Sequence, residues 1–186
     1  MQPILSYSAL ALSVTCFVSF SWAIVRLFYG SAGVGSRMTL LGAMGILCSI
    51  TQITLIVLTR TGCWRMASAL VLYVVALGLF WWAVPQAARV RLNIAFTKAT
   101  PVALLVEGPY AYVRHPFYAA YLLYWVAGAF ISGWLWTSVL VMGWFYFTAM
   151  RQEEESFGLS PLAARYEAYR RKTGALLPVL HVSRRK

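Results

Sequence analysis

The sequence contains no aspartate and only five acidic residues, all glutamates, against 16 lysines and arginines. The first acid is Glu107, so the first half of the chain carries only positive charge. Charged residues make up 11% of the 186 residues, whereas a soluble domain has roughly 25%. This scarcity of charge excludes a protein whose surface lies mainly in water.

Cysteines and N-terminal basic residues are also scarce. The three cysteines, Cys16, Cys48 and Cys63, lack the spacing of metal ligands, and the first two lie inside apolar runs. We interpret them as packing residues and predict no metal site. The first ten residues contain no lysine or arginine, which a secretory signal peptide needs at its start. The first apolar run is therefore expected to remain as a membrane helix.

Long apolar runs are abundant, and hydrophobic residues make up 61% of the chain. A transmembrane helix needs about 20 mostly apolar residues. Residues 4–25, 38–59 and 66–85 meet this requirement, and Pro85 closes the third run. These runs predict three N-terminal membrane spans.

Residues 116–150 form one apolar stretch that is too long for a single helix. Gly133 offers a break within it, so we predict a tight hairpin of two helices, 116–131 and 134–150. The predicted fold class is an all-α integral membrane protein with about five transmembrane helices, the last two forming the hairpin, and a cytosolic C-terminal helical segment. We expect one domain of four parts: three spans (1–85), an interfacial connector (86–115), the hairpin (116–150) and a cytosolic tail (151–186).

The basic residues predict the orientation, because cytoplasmic loops of membrane proteins carry an excess of lysine and arginine. An external N-terminus and a cytoplasmic C-terminus place fourteen of the 16 basic residues inside. The net charge of +11 is therefore attributed to topology and anionic lipid, and no nucleic acid is expected as a partner. We expect a plasma or inner membrane in a prokaryote, or the endoplasmic reticulum in a eukaryote.

The first candidate functional segment is Gly108–Pro116, which joins the connector to the fourth predicted span. Gly-Pro favours a turn, and Pro116 suits the first turn of a helix. Arg114 and His115 are then held at the membrane surface beside a helix N-terminus, which favours anions. The same residues also fit a basic helix start that reaches lipid headgroups, and composition alone favours neither interpretation.

The second candidate is the acidic run Glu153–Glu155, which holds three of the five acids directly after the last apolar stretch. Adjacent carboxylates repel one another, and the C-terminal end of a helix disfavours anions. A solvated helix face would explain them, but their concentration favours binding of a cationic group. The tail that contains Tyr166 reads by itself as an amphipathic, membrane-surface segment.

Together these segments resemble the superfamily of isoprenylcysteine carboxyl methyltransferases and phospholipid methyltransferases, which are integral membrane enzymes. Residues 108–118 read GPYAYVRHPFY, which matches the Gly-Pro-Tyr and Arg-His-Pro motif of that family. Tyr166 follows Glu155 by the family's spacing of eleven residues, so the family's Glu-Glu pair is Glu154-Glu155. The tail TGALLP, residues 173–178, also fits. The family's arginine before the pair is replaced by Met150, with Arg151 one residue later.

The resemblance implies S-adenosylmethionine as the methyl donor and a cytosolic tail that completes the cofactor site. The residues that it assigns to cofactor binding are Gly108, Tyr110, Val113, His115, Tyr118, Glu154, Glu155 and Tyr166. The residues that it assigns to catalysis are Arg114, Arg151 and Glu154. An arginine could orient an acceptor carboxylate with two parallel hydrogen bonds.

The identity of the methyl acceptor stays open at this point. A lipophilic or small molecule is expected, with a carboxyl group on an isoprenylcysteine-like molecule ranked first, a phospholipid amine second and a small thiol third. Membrane lipids are the other expected partners. An NADPH-dependent enzyme of the sterol-reductase type is a rival hypothesis, although a glutamate cluster suits a phosphate-rich cofactor poorly. A non-catalytic membrane subunit is a further alternative.

Overall fold

The computed structural model describes residues 2–29, 35–90, 92–93, 100–101 and 103–179. The described residues form six α-helices: α1 (Gln2–Arg26), α2 (Ser36–Leu58), α3 (Cys63–Ala88), α4 (Pro116–Ile131), α5 (Trp136–Gly158) and α6 (Ala163–Arg170). Short 3-10 helices at Gly108–Ala111 and Gly133–Leu135 precede α4 and α5. Two strands of two residues each, β1 (Phe28–Tyr29) and β2 (Leu92–Asn93), add a small exception to the all-α prediction.

Three helices of the described chain are long and apolar enough to cross a membrane: Pro3–Arg26, Ser36–Leu58 and Cys63–Ala88. They coincide with the three predicted N-terminal spans. Their length and hydropathy support an integral membrane protein, as the sequence predicts.

Pro85 does not end the third helix, which is a correction to the sequence prediction. Helix α3 continues to Ala88, because proline's fixed φ is compatible with a helix and packing can offset the lost hydrogen bond. The extra residues are held by contacts: Ala87 is fully buried, and the Gln86 side chain packs against Gly108.

The outer faces of these helices carry large apolar side chains. Only 33%, 22% and 33% of the most apolar windows of the three long helices are buried inside the protein. Val25, Leu58 and Val71, for example, are 80%, 72% and 61% exposed. Such side chains are stable when hydrocarbon rather than water surrounds them.

The 116–150 stretch forms α4 and the first part of α5. Helix α4 has the predicted bounds, Pro116–Ile131, but α5 runs without interruption from Trp136 to Gly158. The helix therefore continues past residue 150, where the predicted span ends, because the residues that follow favour helix and no glycine or proline intervenes before Gly158. The two helices pack against each other. That both cross the membrane as a hairpin stays a prediction.

The ends of several helices meet on one face of the molecule. Strands β1 and β2 pair in parallel, with Phe28 opposite Leu92, so the ends of α1 and α3 lie together. The last turn of α3 also contacts the 3-10 helix that precedes α4. This face therefore gathers the end of α1, the end of α3 and the start of α4, and the α5 terminus joins them as described below.

Helix α4 is the central element, and it packs most extensively against α3. Aromatic rings fill this contact, with the centroids of Phe80 and Phe117 5.4 Å apart. Gln52 of α2 is fully buried in the same core and donates a hydrogen bond to the Tyr73 hydroxyl at 3.0 Å. A Cβ atom at Gly128 would lie 2.0 Å from the Gln52 Oε1 atom. Glycine at this position thus lets α2 and α4 approach closely, as is common between membrane helices.

Candidate active site

The loop before α4 is shaped by the Gly-Pro pair. Gly108 adopts a φ of +59°, a left-handed conformation that side-chain-bearing residues rarely adopt. Pro109 follows in a 3-10 turn, and Pro116 begins α4 in the position where a missing N–H costs nothing. The loop therefore ends with Arg114 and His115 directly at the helix start.

The C-terminal tail docks onto this loop through backbone hydrogen bonds. Val113 and Gly174 form a parallel β-bridge. The Arg114 amide donates to the Gly174 carbonyl at 2.8 Å, and the His115 amide donates to the Ala175 carbonyl at 3.0 Å. Both amides are thus occupied by the tail and do not serve a ligand carboxylate.

Glycine is required at position 174 for the tail to turn. A Cβ atom there would lie 1.7 Å from the Leu177 carbonyl oxygen, so the chain folds back over Gly174 at a distance that no side chain permits. Thr173 strengthens the turn by donating from its hydroxyl to the Tyr169 carbonyl at 2.9 Å. The TGALLP segment therefore closes over the loop that precedes α4.

Glu154, from the last turns of α5, is the centre of the charged cluster. The Nε and Nη2 atoms of Arg114 each lie 3.0 Å from its Oε1 atom, and the His115 Nε2 atom lies 3.3 Å from the same oxygen. The Arg114 Nη1 atom donates to the carbonyls of Thr173 and Arg170. The guanidinium thus joins α5, the tail and the loop.

Glu153 lies on the other side of the same imidazole. Its Oε2 atom is 3.5 Å from the His115 Nδ1 atom, and its Oε1 atom accepts a hydrogen bond from the Tyr118 hydroxyl at 2.5 Å. The Tyr118 ring stacks on that of Tyr146, with centroids 5.5 Å apart. Tyr118 therefore links the charged cluster to the aromatic core.

The cluster shifts the ionisation of its members in opposite directions. The hydrogen bond from His115, together with the Arg114 guanidinium, lowers the pKa of Glu154 to about 2, although burial opposes this shift. Burial tends to lower the pKa of His115, but the carboxylates of Glu153 and Glu154 outweigh it and raise that pKa above 6.5. The site therefore favours an ionised Glu154 beside a protonated His115.

Tyrosines of the tail form one wall of the cluster. The Tyr166 ring stacks on Phe157, with centroids 4.7 Å apart and planes 9° from parallel. Burial and the nearby Glu154 carboxylate raise the pKa of Tyr166. The Tyr169 hydroxyl donates to the Tyr110 carbonyl at 2.7 Å. Helix α6 is thus fixed to both the loop and the end of α5.

The structure brings together most, but not all, of the residues predicted from sequence. Those that meet around the α4 start are Gly108, Tyr110, Val113, Arg114, His115, Tyr118, Glu154 and Tyr166. Arg151 and Glu155 are exposed on α5. Among the described residues, the glutamates that pair with the His115 ring are Glu153 and Glu154. The roles predicted for Arg151 and Glu155 rest on the resemblance alone.

Sequence reasoning missed Glu153, which contacts both His115 and Tyr118. Helical periodicity could have identified it. The buried face of α5 includes Met142, Tyr146 and Met150, and residues three and four positions further on share that face. This pattern points Glu153 and Glu154 inward and Glu155 outward, whereas the spacing to Tyr166 selects Glu154 and Glu155.

An apolar pocket of about 310 Å³ lies next to the cluster, between α1, α2, α4 and α5. Tyr118 lines it and also contacts Glu153. The rest of its wall is formed by aromatic, aliphatic and small side chains, including Phe20, Leu41, Gly45, Tyr121, Met142 and Tyr146. Tyr118 thus contacts both the apolar pocket and the charged cluster.

The described residues include no group of histidine, cysteine and acidic side chains that could hold a metal ion. The arrangement instead offers carboxylates, an imidazolium and tyrosine rings. Carboxylates bind ammonium groups and hydroxyls, and aromatic rings attract cations. The site is therefore suited to a polar, partly cationic ligand.

Comparison with curated proteins finds a protein-S-isoprenylcysteine O-methyltransferase of Schizosaccharomyces pombe, which is 33% identical over 104 residues. The match covers 53% of this chain and 43% of that protein, so less than half of the relative is represented. No family model matches, and no solved structure matches. The similarity supports a distant relationship to this group of membrane methyltransferases, in agreement with the motifs.

Proposed function

We propose that the protein is a membrane methyltransferase that uses S-adenosylmethionine to methylate a lipophilic acceptor. The observation that carries the proposal is the junction at Tyr118, where a charged cluster meets an apolar pocket. A polar donor and a lipophilic acceptor require two adjacent binding sites of this kind, one charged and one apolar. The distant similarity to an isoprenylcysteine methyltransferase supports the same activity.

The cluster fits the polar parts of the donor. S-Adenosylmethionine supplies an electrophilic methyl group when it is bound. Glu154, held ionised by Arg114 and His115, is a hydrogen-bond acceptor for ribose hydroxyls or an ammonium group. Tyr110 and Tyr166 are buried at the same place and offer rings that adenine can pack against.

Arg114 acts on Glu154 in this proposal. All three of its side-chain nitrogens already have partners within the chain. It therefore positions the carboxylate and holds the tail closed, and its nitrogens are not available to orient an acceptor carboxylate. Arg151 and Glu155 stay candidates on family resemblance only.

The pocket is proposed to hold the acceptor's apolar part. Its wall belongs to helices whose outer faces suit hydrocarbon, so an acceptor can enter sideways from the bilayer while the donor enters from the aqueous side. Methyl transfer requires the nucleophile, the methyl carbon and the sulfur in line. The wall formed by Tyr118 is where the two ligands would meet.

The proposed orientation has the N-terminus outside and the cluster on the cytoplasmic side. Cytoplasmic S-adenosylmethionine would then reach the cluster directly. The charge asymmetry of the sequence supports this orientation.

The activity is tested with purified protein in detergent, tritiated S-adenosylmethionine and an extract of membrane lipids. We expect tritium in the lipid-soluble fraction and no consumption of NADPH in a parallel assay. NADPH oxidation without methyl incorporation would instead establish the rival reductase activity. Calorimetric titration of S-adenosylmethionine separates donor binding from the choice of acceptor.

A further inference from the structure

The described wall of the apolar pocket lacks the cationic side chain that a carboxylate acceptor would need. Among the described residues that line the pocket there is no lysine, arginine or histidine. Glu153 is linked to the pocket wall because it accepts the Tyr118 hydrogen bond. The Arg114 guanidinium is engaged by Glu154 and two tail carbonyls. The His115 imidazole, whose ring centroid lies 5.8 Å from that of Tyr118, is likewise paired with Glu153 and Glu154. Both of these cations are therefore already paired with carboxylates of the protein.

This distribution disfavours an anionic acceptor. A carboxylate would place a negative charge in an apolar pocket whose neighbouring cations, Arg114 and His115, are already paired with glutamates, and burial of an unpaired charge is costly. A carboxylic acid is also ionised at neutral pH, so it needs no group to remove a proton. The hydrogen-bonded pair Tyr118–Glu153 would then have no chemical task at the pocket wall.

An acceptor that carries a proton on its reacting atom gives this pair a task. A thiol, phenol or amine must lose that proton during methyl transfer, and a proton acceptor within hydrogen-bond reach promotes the step. Tyr118 lines the pocket, and its hydroxyl is already 2.5 Å from the Glu153 Oε1 atom. The hydroxyl can receive a proton from the acceptor while it passes its own to Glu153.

Building on the proposed function, we infer that the natural acceptor bears a proton on the atom that is methylated, and that Glu153 receives this proton through Tyr118. The bond between the acceptor atom and the methyl carbon forms as the bond between sulfur and that carbon breaks. The bonding pair goes to sulfur, which becomes a neutral thioether. The proton leaves the acceptor for Tyr118, whose own proton moves to Glu153, so charge and atoms balance.

The surroundings of Glu153 are consistent with this role. His115 from the start of α4 faces its Oε2 atom at 3.5 Å, and Tyr110 from the loop lies close enough to sense its charge. Tyr146 of α5 and Tyr121 of α4 pack beside Tyr118. The imidazole can thus stabilise the Glu153 anion before the proton is transferred.

The test uses four acceptors of similar overall length with purified protein and tritiated S-adenosylmethionine: dodecanethiol, dodecylamine, 4-octylphenol and dodecanoic acid. We expect at least one of the three proton-bearing acceptors to be methylated about ten times faster than the acid. A tenfold ratio corresponds to about 1.4 kcal/mol, which is the order of one unfavourable charge interaction. Methylation of the acid at an equal or greater rate would overturn the inference.

Two variants test the proton path. With the best proton-bearing acceptor, Tyr118→Phe and Glu153→Gln should each lower turnover about a hundredfold, the usual contribution of a proton acceptor. Buried Tyr73→Phe, which does not line the pocket, and surface Glu167→Gln are matched controls and should retain turnover. Donor affinity should change less than turnover in both test variants. Retained turnover in both test variants would contradict the path.

A rescue experiment separates chemistry from structural damage. With N-dodecanoylcysteinamide as the thiol acceptor, raising the pH above about 8.5, the ordinary pKa of a cysteine thiol, ionises the thiol. The thiolate no longer needs a proton acceptor, so Tyr118→Phe should regain rate relative to the original protein. A deficit that does not change with pH would assign Tyr118 a structural role and overturn the inference.

The outcomes also separate this inference from the proposed function. Donor binding with methylation of the acid alone would refute the acceptor class but leave the methyltransferase assignment intact. Absence of donor binding in the folded protein would refute both.

Discussion

At the scale of single residues, the site depends on how Arg114 is used. Its three nitrogens bridge Glu154 and the tail carbonyls of Arg170 and Thr173. A lysine has one point of attachment and cannot reproduce this planar fork. The guanidinium is therefore a positioning group whose loss should affect both the carboxylate and the tail.

Arg114→Lys should weaken S-adenosylmethionine binding and lower turnover together. Loss of charge-assisted hydrogen bonds of about 1.5–3 kcal/mol corresponds to roughly ten- to a hundredfold in affinity. Titration and turnover of the folded variant measure both effects. If turnover collapsed while donor affinity stayed normal, Arg114 would instead orient the acceptor, as first inferred from the sequence.

His115 should make stability depend on pH in a defined direction. Its pKa is raised above 6.5 in the folded protein because Glu153 and Glu154 outweigh burial. The folded state therefore binds the proton more tightly, and the resulting stabilisation is fully present below pH 6.5 and lost as pH rises through the raised pKa.

Thermal unfolding of the original protein and of His115→Asn, measured across this range in one detergent, checks the sign. The advantage of the original protein should be largest below pH 6.5 and should shrink at higher pH. An advantage that grows with pH would contradict the ion pairs assigned to His115.

At the scale of helices, the sequence predicts most of the framework because membrane spans are set by length and hydropathy. The three long helices and the bounds of α4 follow from apolar runs and from Pro116. The end of α3 could not be predicted from Pro85 alone, because Gln86 and Ala87 are held by tertiary contacts. Local propensity does not contain that information.

The sequence predicts only part of the site, because some of its contacts depend on tertiary structure. The loop and tail motifs identify the residues near Glu154 through family resemblance, but spacing to Tyr166 does not reveal which glutamate faces inward. The helical phase of α5 decides this, and it selects Glu153 over Glu155. Backbone pairing of Arg114 and His115 with the tail was also beyond sequence reasoning, because it depends on a long-range contact.

The contact between α2 and α4 gives a prediction at the same scale. A methyl group at position 128 would overlap Gln52, which is fully buried. Gly128→Ala should therefore destabilise the protein by about 1–3 kcal/mol, the usual cost of overpacking. Gly78→Ala is the matched control, since a Cβ atom there meets nothing within 4 Å. Equal melting temperatures for both variants in detergent would show that the helices are not packed this tightly.

At the scale of the whole molecule, the orientation in the membrane stays a prediction from charge. Trp134 and Leu177 are 83% and 78% exposed and belong to opposite sides in the proposed topology. In a background without native cysteines, an impermeant thiol reagent applied from outside should label Trp134→Cys and spare Leu177→Cys. The reverse pattern would invert the orientation and place the cluster outside.

The central claim is that the cluster around Glu154 binds S-adenosylmethionine, and a calorimetric titration of matched variants tests it most directly. Glu154→Gln removes the carboxylate that Arg114 and His115 hold, whereas Glu167→Gln changes an exposed carboxylate of α6. We predict that Glu154→Gln lowers donor affinity about ten- to a hundredfold, the equivalent of one charge-assisted hydrogen bond, and that Glu167→Gln binds nearly as well as the original protein. Unchanged affinity in Glu154→Gln would contradict the account.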